Sequence, residues 1–100
     1  MTSKFAIALG GTIIAGTAAA MAYSGQNLER YAHVSLKQAE AIAIRATHGR
    51  IVDEELEKEA GGTGLRYSFG VIASGHKREV GVDAKTGKVL ENMKEGANPD

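Results

Sequence analysis

The sequence predicts a small α+β domain: one helix packed across a three- to four-stranded antiparallel sheet, preceded by a signal peptide. Three observations carry this reading. Ser35 and Gln38 stand in a capping-box arrangement at the head of an apolar stripe of helical period. Leu65, Tyr67, Phe69 and Val71 alternate strictly with other residues, the pattern of a half-buried strand. Two alternating apolar half-strands flank Asp83-Ala84-Lys85-Thr86-Gly87, where Asp83 can accept a hydrogen bond from the backbone two or three residues on and Gly87 supplies a positive φ.

The first 22 residues differ in composition from the rest. Lys4 is the only charge before Glu29, and Phe5 to Ala20 is an apolar run rich in Ala, Gly, Ile and Thr. Ala20-Met21-Ala22 has the small-x-small pattern of a signal peptidase site, with polar Tyr23-Ser24-Gly25-Gln26 behind it. Residues 1–22 are therefore expected to be a signal peptide cut after Ala22, giving a periplasmic or secreted product. The competing reading is an uncleaved membrane anchor. Against it, the run is shorter than the ~20 residues a spanning helix needs, and Gly10, Gly11, Thr12, Gly16 and Thr17 dilute it. A membrane association is expected only if the leader is kept.

Removing the leader takes away Lys4 and no acid, leaving 11 basic and 12 acidic side chains, a net charge of −1. No concentrated Lys/Arg cluster is present, which argues against nucleic acid or an anionic membrane as partner. The chain has no cysteine, so disulfides, thiolate metal sites and cysteine nucleophiles are all absent. The mature chain of 78 residues is at the lower limit for a self-sufficient core without staples.

Residues 23–33 read as a polar, loosely helical arm that spaces the domain from its export site. In the helix that follows, Leu36, Ala39, Ile42, Ala43 and Ala46 form the expected buried stripe, with Ile44 off it. His48-Gly49 ends the helix, Gly49 being the expected left-handed residue. Arg50 to Glu59 is the first strand, with Val52 and Leu56 facing the helix and Asp53, Glu55 and Glu57 on the solvated face. After a loop at Ala60 to Gly64 comes the Leu65 to Val71 strand, whose Arg66, Ser68 and Gly70 point away from the core. Gly70 also permits close backbone approach or a bulge. Ala73 to His76 turns the chain into a strand with Val80 and Val82 inward. A short last strand runs from Val89 to Glu91, and residues 92–100 are expected to fray.

The segments Val34-Ser35-Leu36-Lys37-Gln38-Ala39, Val52 to Glu57, Tyr67-Ser68-Phe69 and above all Val82 to Val89 resemble, in order and spacing, the PepSY domain. That family occurs in propeptides of secreted thermolysin-like metallopeptidases and in small exported bacterial proteins. The resemblance runs from about Val34 to Leu90, within a domain expected over residues 34–91. It implies a helix on an antiparallel sheet and an exported location, and it brings neither catalytic residues nor a protease in cis. Its recurrent positions fall at Ser35, Ala39, Ala43, Tyr67, Val82, Asp83, Thr86 and Gly87 and imply capping, packing and turning roles there; the capping box and the helix end add Gln38 and Gly49 to the structural motif.

Other chemistry is sparse. His33 and His48 bracket a helix about 20 Å long at 1.5 Å per residue, too far apart to share a metal ion within one chain. The acidic run on the first strand invites a cation, yet same-face carboxylates on a strand without histidine read as a solvated edge. Ser24, Ser35, Ser68 and Ser74 lack an elbow motif, and Gly61, Gly62 and Gly64 lack the Lys-Ser/Thr ending of a phosphate loop. The expectation is thus a non-enzymatic, cofactor-free exported module that binds a peptidase or other envelope protein. Asp53, Glu55, Glu57, Arg66 and Ser68 are the candidate partner surface, on the sheet face or edge. An envelope sensor binding a metal ion or small ligand is the alternative.

Overall fold

The computed structural model describes residues 22–96. Residues 1–21, nearly all of the expected signal peptide, and residues 97–100, the end of the expected tail, lie outside the described residues. A 3₁₀ helix, Gln26–Tyr31, precedes helix α1 (Leu36–Thr47) and four strands: β1 (Arg50–Lys58), β2 (Leu65–Ala73), β3 (His76–Asp83) and β4 (Val89–Lys94). The strands form one antiparallel meander in the order β1-β2-β3-β4, and α1 lies across it, mainly over β2 and β3. This is the α+β layer pair that the periodicities predict.

Helix α1 starts where its cap dictates. The Gln38 N–H donates to Ser35 Oγ at 3.1 Å while the Ser35 N–H donates to Gln38 Oε1 at 2.9 Å, closing the capping box. Ala39 and Ala43 are fully buried against the sheet, and their small side chains let the helix axis approach β2 and β3 closely. The rest of the expected stripe is shallower. Leu36 and Ile42 are half-buried, and Ala46 is exposed along with Ile44.

The helix end departs from expectation. His48, not Gly49, takes the left-handed conformation (φ 58°) and donates its N–H to the Ile44 carbonyl. Gly49 is required for a different reason. A Cβ there would lie 2.5 Å from the Ile72 carbonyl oxygen and 2.7 Å from Val71 Cγ1, so only glycine lets the chain leave the helix against the end of β2.

In the sheet, Tyr67, Phe69 and Val71 of β2 and Val80 and Val82 of β3 are at most 1% exposed. Burying each contributes roughly 1.5–3 kcal/mol, which makes this pair of strands the energetic centre of the domain. β1 contributes Leu56 as expected, but a bulge between Ile51 and Asp53 changes the face parity of its first residues. Ile51 pairs with Val71 and packs on the core in place of Val52. An inserted residue reverses the two-residue alternation, and the sequence carries no mark of it. The β2–β3 turn has positive φ at both Ser74 (53°) and Gly75 (79°), the signature of a tight hairpin that matches strand twist. β4 continues to Lys94, three residues beyond the expected end.

The arm is part of the domain and not a spacer. Tyr23 is 8% exposed and belongs to the core cluster, with Leu28 and Ala32 packed against it. Ser24 forms a parallel bridge with Glu55, and its carbonyl accepts the Leu56 N–H at 2.9 Å, so the arm covers the middle of the β1 edge. Gly25 makes this possible: its φ is 87°, and a Cβ would fall within bonding distance of the Leu56 carbonyl.

Candidate functional site

All five candidate surface residues lie on the sheet face opposite α1. Register pairs Asp53 with Gly70, Glu55 with Ser68 and Glu57 with Arg66. Their surroundings differ. Ser68 Oγ donates to Glu57 Oε2 at 2.7 Å, while Arg66, expected on the wet surface, is only 8% exposed. Its guanidinium is covered by the β1–β2 loop, donating to the Ala60 carbonyl at 3.1 Å and to Glu91 Oε1 at 3.2 Å. Arg66 therefore braces the face rather than presenting a free charge.

Two glycines let long cations reach across an intervening strand. Lys77 on β3 spans β2 over Gly70 and meets Asp53 Oδ2 on β1 at 3.1 Å. A Cβ on Gly70 would sit 2.7 Å from both the Asp53 carboxylate and Lys77 Cε. Arg66 on β2 passes over Gly81 of β3 to reach Glu91 on β4, with a Gly81 Cβ falling 3.0 Å from its Nη1. The alternation of β2 shows Gly70 pointing outward, but only the partner strands explain why it must be glycine.

The uncovered face is acidic. Asp53, Glu55, Glu57, Glu79, Glu91 and Glu95 share it with the cations Arg50, Arg66 and Lys77. The hydrogen bond and charge of Asp53 hold the Lys77 ammonium above its ordinary pKa. Partial burial, with repulsion from Glu95, pushes the Glu79 carboxyl up. The arrangement can attract a basic surface through charge.

The turn chosen from sequence is the junction of the fold. Asp83 is 1% exposed, and its Oδ1 accepts the Lys85 N–H at 2.8 Å and the Thr86 N–H at 3.0 Å. Gly87 closes the turn with φ 82° and donates its N–H to the Asp83 carbonyl, and Thr86 Oγ1 accepts the Lys88 N–H. Unforeseen is the reach to the β1–β2 loop, where the Thr63 N–H donates to Oδ2 at 2.7 Å and the Thr63 hydroxyl to Oδ1 at 2.8 Å. Burial alone would raise this carboxyl, but the four donors outweigh it and hold Asp83 well below the usual carboxylate range. Next to it, the Ala84 carbonyl accepts the N–H groups of both His33 and Val34, joining the turn to the helix entry. Tyr67 completes that join by donating its hydroxyl to the Val34 carbonyl at 2.7 Å.

Tyr23 donates to Glu29 Oε2 at 2.5 Å, and its phenol lies far above the ordinary tyrosine value through burial and then this bond. His33, His48 and His76 are all exposed. Among the described residues no three His, Asp or Glu side chains converge as metal ligands, and no helix is long and apolar enough to cross a membrane. His33, Ser35 and Glu29 line one cleft, but the Ser35 hydroxyl is committed to the helix cap and Glu29 to Tyr23.

A helix capped by a Ser–Gln box, laid on a four-stranded meander that is closed by an Asp-centred turn, defines a small α+β module with one open sheet face. The family model described as peptidase propeptide and YPEB domain, PepSY, matches residues 34–92, and the chain belongs to that family. No curated protein and no solved structure matches the chain significantly. The matched segment begins at Val34, after the arm that the fold incorporates.

Proposed function

We propose that the protein is a non-enzymatic, exported protein-binding module whose partner is a peptidase that it inhibits or modulates. The observation that carries this reading is the open sheet face with Asp53, Glu55 and Glu57 in one row, in a domain of a family associated with peptidase propeptides. Because the arm occupies the middle of the β1 edge, the face is favoured over that edge as the docking surface. Export through the 1–22 signal peptide, with cleavage after Ala22, would bring the module to the periplasm or the exterior.

Affinity capture from the envelope fraction of the host, read by mass spectrometry, tests the proposal. Specific recovery of a peptidase by the wild-type protein, reduced by the double substitution D53K/E55K, is the expected result. Absence of any specifically retained protein would sink it. A recovered peptidase is then assayed with and without the module, a change in its rate being the expected result.

A further inference from the structure

At the end of the sheet, the close of the 3₁₀ helix, the β1–β2 loop and the β3–β4 turn enclose a cleft of about 230 Å³ lined by Tyr31, Lys58, Thr63, Gly64, Leu65 and Lys85. We infer that this cleft binds a carboxylate of the protein partner, either an acidic side chain or a chain terminus. The inference rests on the protein-binding reading given above.

Three features of the cleft point to that ligand. Lys58 and Lys85 are exposed, and among the described residues no carboxylate lies within 4.0 Å of either ammonium, whereas Lys77 engages both Asp53 and Glu95. Two unpaired cations on one small concavity are a receptor for an anion. The walls are also rigid, because the buried Asp83 carboxylate anchors both the Thr63 N–H and the Lys85 N–H. The Ala84 N–H bond to the Leu65 carbonyl and the Gly64 N–H bond to the Gly61 carbonyl fix the segments beside them. A preformed site loses less conformational freedom on binding. Finally, Tyr31 lines the cleft and is 47% exposed, adding an aromatic wall. The acidic sheet face elsewhere on the domain repels extended polyanions, so a single carboxylate within a peptide fits better than nucleic acid or an anionic bilayer.

Nuclear magnetic resonance titration of the isotope-labelled protein tests this. The probes are a short acetylated and amidated peptide carrying glutamate beside leucine, and its glutamine counterpart with a free C-terminal carboxylate. Saturable shifts at Thr63, Gly64, Leu65 and Lys85 with the first probe assign the site to a side chain, and with the second to a chain terminus. K58Q/K85Q is expected to weaken binding by about fivefold or more, in keeping with two exposed ion pairs. K88Q alters an exposed lysine of the same hairpin that does not line the cleft, and it is expected to leave binding unchanged. The inference is overturned if neither probe shifts these amides, or if K88Q weakens binding as much as the double substitution. Capture of a peptidase with no peptide response would remove the cleft and leave the proposed function standing; the converse would remove the proposed function alone.

Discussion

Asp83 in the β3–β4 turn holds Thr63 in the β1–β2 loop by two hydrogen bonds, at 2.7 and 2.8 Å, across 20 residues of chain. The same carboxylate orders its own turn through Lys85 and Thr86. One nearly buried charge thus locks together two hairpin ends, and the neighbouring Ala84 carbonyl joins them to the entry to α1.

Replacing that carboxylate should be costly. D83A leaves part-buried N–H donors unpaired and is expected to destabilise the domain by about 3 kcal/mol, with D83N costing less because the amide oxygen can still accept. Urea unfolding monitored by circular dichroism measures both. A D83A variant within 0.5 kcal/mol or so of wild type would show that the network is not worth its apparent bonds.

The same residue predicts the acid limb of stability. The folded-state pKa lies below the unfolded value of about 3.9, so folding with Asp83 ionised is favoured above that value. The contribution is fully present at neutral pH and is lost as pH falls below about 4 toward the depressed folded value. Midpoints of urea unfolding at pH 6 and at lower pH should converge between wild type and D83N. A constant gap across that range would refute the assignment.

Tyr23 and Tyr67 set the alkaline limb. Burial raises both phenols, with the Glu29 hydrogen bond adding at Tyr23 and the Glu29 charge at Tyr67. A raised folded pKa gives stability that is intact below the unfolded value of about 10 and declines as pH rises past it. Absorbance titration at the tyrosinate band should show less than the full three-tyrosine change until the domain unfolds. Full ionisation of a still-folded protein near the ordinary value would contradict the burial of both rings.

The arm's docking depends on one glycine. In G25A the added methyl meets the Leu56 backbone, which cannot move without disturbing β1, and the positive φ adds strain. The expected outcome is release of the arm, seen as faster hydrogen exchange at the Leu56 amide while β2 and β3 amides stay protected. Unchanged protection at Leu56 would mean that the bridge from Ser24 does not hold the edge.

The helix cap offers a smaller, local test. S35A removes one side of the capping box and should cost about 1 kcal/mol, with the loss concentrated in the first turn of α1. Thermal unfolding and exchange at the Gln38 amide report it. A loss several-fold larger would indicate that Ser35 has a tertiary role in addition to its cap.

What could be read directly from the chain was what depends on neighbours in sequence. The Ser35–Gln38 box, the burial of Tyr67, Phe69, Val71, Val80 and Val82, and the Asp83–Gly87 turn follow from spacings of two to four residues, and the structure has all of them. The shared face of Asp53, Glu55, Glu57, Arg66 and Ser68 was legible for the same reason, since strand side chains alternate with period two.

Tertiary structure decided everything that depends on who faces whom across the fold. The bulge that places Ile51 on the core, the burial of Arg66 over Gly81, the reach of Lys77 across Gly70, the role of Gly49 and the incorporation of Tyr23 each arise from contact between segments distant in sequence. A local pattern states which side of a strand a residue occupies; it does not state the shape of the neighbour it meets there. For that reason the sequence determined the layers of this domain, and packing determined which of its charges are committed within the fold.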